Sequence, residues 1–247
     1  MTKFYESVNL TLYSDGKMQA INDLVVKEKQ LTILFNDIEL ASILCSSGNY
    51  EMLVAGFLLS RGLLKNLQEV RQIKYDGTFD TVVVKTHTSF PPQTKKLSRP
   101  KINPKEIQHV KSNCRFHARH ILDMMQELEK NAETFRLTGG VHSAALADNT
   151  KINFTYEDIG RHNAVDKVLG HIFLNGITTD DKCLLLSGRI QSDILVKAAL
   201  SGIPIVVSSA APAHLAIELG NRLNITVIGF ARQTRFGIYS HLERVII

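Results

Sequence analysis

A chain of 247 residues, 44% hydrophobic and 21% charged, has globular composition and enough length to bury one large core or two smaller ones. It has no run of about 18 uninterrupted apolar residues, and the opening Met1-Thr-Lys-Phe-Tyr-Glu6 lacks the apolar block of a signal peptide, so the expectation is a cytoplasmic protein without a membrane helix. A net charge of +5 favours anionic partners, yet no arginine-rich tract or aromatic-interleaved basic ribbon supports nucleic-acid binding.

In chain order, Val8 to Tyr13 and Ile21 to Val26 predict strands, and Leu31 to Phe35 with Ile38 to Leu44 predicts a hairpin closed by Asn36-Asp37. Gly48 is placed to cap a helix from Tyr50 to Ser60 that Gly62 ends. Val70 to Tyr75 and Phe79 to Lys85 form a second hairpin across Asp76-Gly77. From His87 to Lys105 periodicity vanishes and four of the six prolines cluster with Lys95, Lys96, Arg99 and Lys101, which reads as a solvated linker. It divides a smaller β-rich α+β N-terminal domain, residues 1–100, from an α/β domain, residues 101–247. A helix from Ala118 to Ala132 carries the apolar stripe Ile121, Leu122, Met125 and Leu128. Past Thr138, strands at Ile152 to Tyr156, Leu184 to Ser187, Ile205 to Ser208 and Ile225 to Phe230 alternate with helices near 162–175, 191–201 and 212–223. That alternation predicts an α/β sandwich with a largely parallel sheet.

The richest stretch is Phe154 to Gly170, where a strand turns through Gly160 into a helix and Arg161 and His162 occupy the first turn. Free N–H groups and the positive dipole end of such a helix suit an anion. An arginine there wants a negative partner, either Glu157 and Asp158 or a ligand. Ser187-Gly188-Arg189 repeats the strand-to-helix geometry with a hydroxyl, an unobstructed backbone and a guanidinium fork. Leu137 to Leu146 places Gly139 and Gly140 before a run of small residues. The strand from Ile225 ends at Phe230 in a loop with Arg232 and Arg235, where ligands of open α/β sheets gather, the ring suited to stacking and the arginines to phosphates.

Three widely spaced cysteines argue against a disulfide framework. Cys183 and Cys45 read as core residues. Cys114 has Lys111, Arg115, His117, Arg119 and His120 close by in sequence, a positive setting expected to favour thiolate over thiol. Cys114, His117 and His120 recur every third residue, but a helical period spreads them over more than one face, so no metal site is assigned.

Thr138 to Leu146, Glu157 to Lys167, Ser187 to Ile190 and Gly229 to Arg232 resemble, in order, the motifs of the FdhD family, the formate dehydrogenase accessory sulfurtransferases. Leu31 to Asn36 and Gly56 to Gly62 extend the resemblance over nearly the whole chain. It implies a cytoplasmic homodimer that takes sulfur from a cysteine desulfurase as a persulfide. The sulfur passes to the molybdenum of a bis-molybdopterin guanine dinucleotide cofactor bound for formate dehydrogenase. It also implies a cytidine-deaminase-like C-terminal core. Carried over to this chain, the cofactor contacts are Phe230, Ala231, Arg232, Gln233, Thr234 and Arg235, supported by Arg161, His162, Ser187, Gly188, Arg189, Gly139, Gly140 and His142. Deaminase chemistry itself is not expected, because His142-Ser-Ala144 lacks the glutamate of His-x-Glu and Ala211-Pro-Ala-His214 lacks cysteine. Where the family has Cys-x-x-Cys, this chain reads Cys114-Arg-Phe-His117. Cys114 remains the expected sulfur carrier, with His117 as a base or an ionising neighbour. The alternative is a cofactor-binding chaperone that has lost sulfur transfer.

Overall fold

The computed structural model describes residues 4–87 and 107–247; the linker expected from His87 to Lys105 lies outside them but for His87. The chain opens as a two-stranded hairpin, β1 (Tyr5–Ser14) and β2 (Lys17–Val26), paired from Tyr5 with Val26 to Ser14 with Lys17. Asp15 and Gly16 turn it, both at positive φ, the combination that matches the twist of paired strands.

A four-stranded sheet follows, ordered β4-β3-β6-β5, from β3 (Lys29–Phe35), β4 (Ile38–Cys45), β5 (Val70–Asp76) and β6 (Thr81–Thr86). Asn36 and Asp37 close the first hairpin in left-handed geometry, as expected. Helix α1 (Tyr50–Leu59) lies on this sheet and buries Leu53, Phe57 and Leu58 against Leu31, Ile33, Val82 and Val84. It starts after Asn49, at φ 55°, one residue later than a Gly48 cap would place it.

The remaining elements are β7 (Phe116–His117), α2 (Ala118–Asn131), α3 (Glu133–Thr138), β8 (His142–Ala147), β9 (Ile152–Asp158), α4 (Arg161–Asn175), β10 (Cys183–Leu186), α5 (Ser192–Leu200), β11 (Ile205–Ser208), α6 (His214–Leu223), β12 (Thr226–Arg232), β13 (Arg235–Ser240) and β14 (Val245–Ile246). Six strands form one sheet in the order β13-β12-β11-β10-β8-β9. It is mixed, not largely parallel: β10, β11 and β12 run parallel, while β8, β9 and β13 are antiparallel to their neighbours. Alternation along each strand feeds two cores. Ala144, Leu146, Leu184, Leu186, Val206 and Val227 face α4, α5 and α6, whereas Ala145, Ala147, Cys183, Leu185, Val207 and Ile228 face α2.

The two halves meet where α1 crosses α4. A Cβ built on Gly56 would sit 1.9 Å from the Asp166 carbonyl oxygen, and one on Gly170 would sit 1.8 Å from that of Met52, so the backbones touch through glycine on both sides. Gly170→Ala should therefore part the helices and cost on the order of 3 kcal/mol, the upper end for overpacking, read as a lowered urea midpoint. An unchanged midpoint would mean that the contact is not close.

Candidate functional site

The Glu157–Lys167 motif divides into buried scaffold and a ligand-facing remainder. Asp158 and Lys167, both fully buried, pair at 2.7 Å. Asp158 also accepts bonds from Ser46 N at 3.2 Å, Gly160 N at 3.0 Å and Asn163 Nδ2 at 2.9 Å, and Lys167 Nζ donates to the Glu157 carbonyl at 3.0 Å. Asp166 pairs with Lys197 at 2.7 Å, and the Glu157 carboxylate caps α3 through Thr134 N and Phe135 N. Every acid of the motif is thus spent on the fold.

Among the described residues Arg161 therefore has no carboxylate partner. Its Nη2 donates to Gln191 Oε1 at the start of α5, and its Nε is buried with no partner. Gly188 makes room for it: a Cβ there would lie 3.2 Å from Arg161 Cβ and 3.3 Å from His142 Nδ1. Ser187 Oγ accepts from Ser143 N at 2.9 Å and lies 3.5 Å from His142 Nδ1. Burial, then the charges of Arg161 and Arg189, hold the His142 imidazole below its ordinary pKa, so it is neutral near pH 7. His162 is likewise lowered, mainly by burial, and lies 3.5 Å from Asp193.

The neighbouring strands extend this edge. Ser208 Oγ donates to the Gly188 carbonyl, Arg232 Nε donates to the Ser209 carbonyl at 2.7 Å, and Phe230 N donates to the Ala210 carbonyl. Phe230 is 49% exposed at φ 54°, a left-handed conformation rare for an aromatic residue, which turns its ring out of the bulged β12. The segment 230–235 is not a loop: β12 runs to Arg232, Gln233 and Thr234 make the turn, and Arg235 begins β13. Ala231 is buried in the α2-side core, and Gln126 donates to the Gln233 carbonyl. In Leu137 to Leu146 the paired glycines lead from a helix into a strand. Gly139 ends α3 at φ 65°, Gly140 packs on Val26, and His142 starts β8. Arg161, His142, Ser187, Gly188, Ser209, Arg232 and Phe230 thus share the edge where β10, β11 and β12 end. Ser209 lies where a parallel strand ending at Ser208 would bring it, whereas Gln191 carries no motif signal.

Cys114 stands at the other edge. Its neighbours are Asp180 and Asp181 before β10, Asp148 to Thr150 after β8, and Asn224 before β12, which line two open depressions of about 570 and 390 Å³. The two edges are separated by the length of β8, six residues or on the order of 20 Å. Cys114 is anchored there: Val110 N donates to the Leu223 carbonyl, Asn224 Nδ2 to the Val110 carbonyl, and β7 pairs with β14. These bonds hold the thiol at this edge, away from Arg161 and Gly188.

The positive setting expected from neighbours in sequence is not what the thiol meets. Ser112, Cys114 and Phe116 turn inward while Lys111, Asn113, Arg115 and His117 turn outward, the alternation of an extended segment. Burial raises the Cys114 pKa; the Ser112 hydroxyl and Arg244 oppose that, and Asp181 and Asp180 add to it. His117 points away, its backbone N–H on Asn149 Oδ1 and its ring against His120. Cys45 and Cys183 lie in the core as expected, and burial pushes the Cys45 thiol up to about 12. Among the described residues, no cluster of three metal-ligating side chains occurs.

The FdhD/NarQ family pattern matches residues 26–246. The sulfur carrier protein FdhD of Bacillus subtilis (strain 168) is 36% identical over 247 residues, covering 94% of each chain. That of Staphylococcus aureus (strain MRSA252) is 38% identical, covering 95% of this chain and 94% of its own. The crystal structure of a candidate formate dehydrogenase accessory protein from Desulfotalea psychrophila, 26% identical, superposes with a TM-score of 0.86 over 99% of this chain and 100% of its own.

Removing the positive charge of Arg161 favours the imidazolium of its neighbour. Arg161→Gln should accordingly raise the His142 midpoint in an NMR titration, and an unmoved midpoint would place the guanidinium elsewhere.

Proposed function

The chain belongs to the FdhD/NarQ family, and on that premise we propose that it accepts sulfane sulfur on Cys114 and delivers it to a molybdenum cofactor needed by a formate dehydrogenase. The observation that carries this reading is the contrast among the cysteines: Cys45 and Cys183 are sealed, and Cys114 alone opens onto solvent-accessible depressions. A donor persulfide, R–S–SH, supplied by a cysteine desulfurase transfers its outer sulfur to the Cys114 thiol. One S–S bond breaks, one forms, and R–SH leaves, so nothing is oxidised or reduced overall.

The acceptor, bis-molybdopterin guanine dinucleotide, fits the opposite edge. The orphaned Nε of Arg161, with Arg189 and Arg232, suits its phosphates, and the exposed Phe230 ring suits stacking on guanine or pterin. His142 supplies a neutral polar contact. Because donor and acceptor edges lie apart, delivery requires a second copy of the chain or release of residues 110–115 from their anchors; a cytoplasmic homodimer supplies the first route. The layering of the six-stranded sheet between α2 and α4, α5 and α6 supports a cytidine-deaminase-like core without its chemistry.

A cofactor chaperone without sulfur transfer is the second reading, favoured by His117 facing away from Cys114. Loading with a cysteine desulfurase and cysteine should add one sulfur, about 32 Da by intact mass, to the wild type and none to Cys114→Ser. No adduct on the wild type, with guanine nucleotide still bound and weakened by Arg232→Ala, would replace the carrier by the chaperone.

A further inference from the structure

Arg244 ends the 3-10 turn Leu242–Arg244 just before β14, whose pairing of Val245 with Phe116 sets it beside the Cys114 segment. Only 4% of it is exposed. Nη1 donates to Thr226 Oγ1 at 3.3 Å and Nη2 to the Ser112 carbonyl at 3.5 Å, both long, and Nε is buried without a partner. Among the described residues it forms no salt bridge; the acid beside it in sequence, Glu243, feels its charge but is 62% exposed and lies 3.1 Å from His241. A buried guanidinium lacking a counter-ion is destabilising, and an anion brought next to it removes that penalty.

A group able to become one is Cys114, two residues beyond the Ser112 carbonyl that Arg244 contacts. The Cys114 backbone N–H donates to Ser112 Oγ at 3.1 Å, so one residue, Ser112, touches both the cysteine and the arginine. The other charges around the sulfur are few. Asp180 and Asp181 face it from the loop before β10, Asp148 lies across the second depression, and Lys111 and Arg115 line the rims on its own segment. Arg244 is the basic group from outside that segment whose charge reaches the thiol.

We propose that Arg244 is the counter-ion of the sulfur carried on Cys114, holding first the attacking thiolate and then the persulfide in anionic form. This rests in part on the sulfur-carrier reading. The Cys114 thiolate attacks the outer sulfur of R–S–SH and forms the new S–S bond as R–S⁻ leaves. The proton of the transferred sulfur passes to R–S⁻, giving Cys114–S–S⁻ and R–SH, with one negative charge before and after. The anion stays over the guanidinium throughout, and Arg244 is a positioning residue that never bonds to the sulfur being moved.

The test reads the pH dependence of iodoacetamide alkylation at Cys114 in the full chain, with folding verified by thermal melts. Arg244→Met should raise the apparent pKa by about one unit, a roughly tenfold slower reaction at pH 8, while Arg244→Lys stays within about threefold of wild type. An unchanged profile in folded Arg244→Met overturns the proposal. Should that variant not fold, Cys114→Asp against Cys114→Asn decides. A fixed anion should melt at a higher temperature than its neutral isostere, and an equal or lower melt overturns the proposal. Wild type that alkylates as expected but accepts no sulfur would remove the carrier reading and leave the counter-ion in place.

Discussion

The buried pair of Asp158 and Lys167 is the constraint on which the rest of the architecture depends. It joins the end of β9 to the second turn of α4, and through Ser46 it reaches back to the end of β4 in the N-terminal sheet. Two charges taken wholly out of water are tolerable only when both are neutralised and their remaining bonds are filled, and here four further hydrogen bonds complete the set. The same clamp fixes Gly160, so the first turn of α4 presents Arg161 to Gly188 and His142. Glycine contacts at Gly56 and Gly170 lock α1 on α4 a few turns on. A single helix therefore holds the two halves together and aims the anion-seeking arginine.

That arrangement gives the sheet two chemically distinct edges. Where β10, β11 and β12 end, backbone oxygens, arginines, an exposed aromatic ring and a neutral histidine converge. Where they begin, one cysteine sits among aspartates, and a buried guanidinium contacts Ser112 of its segment. Each edge is suited to a different molecule, and the four to seven residues of the intervening strands keep them apart.

Much of this was legible in the sequence. The stripe of Ile121, Leu122, Met125 and Leu128 gave α2, Asn36-Asp37 gave a hairpin, and strand-turn-helix junctions located Arg161 and Gly188. Strand β8 was hidden because His142-Ser-Ala-Ala-Leu-Ala147 has no β-branched residue, and burial between two layers overrode weak propensity. The β12–β13 hairpin was hidden because Gln233-Thr234 is not a glycine turn, yet Gln233 takes the left-handed conformation at φ 51°. The setting of Cys114 failed for a simpler reason: closeness in sequence is not closeness in space along an extended segment. Alternation sent Lys111, Arg115 and His117 outward, while the charges that reach the thiol, Asp180, Asp181 and Arg244, come from distant parts of the chain.

If the two edges serve donor and acceptor separately, blocking one must leave the other intact. Calorimetric titration of GDP into protein whose Cys114 has been capped by a bulky maleimide measures this most directly. An affinity within about twofold of the uncapped protein is the predicted result; a loss of tenfold or more would contradict the separation and place the thiol within the nucleotide site.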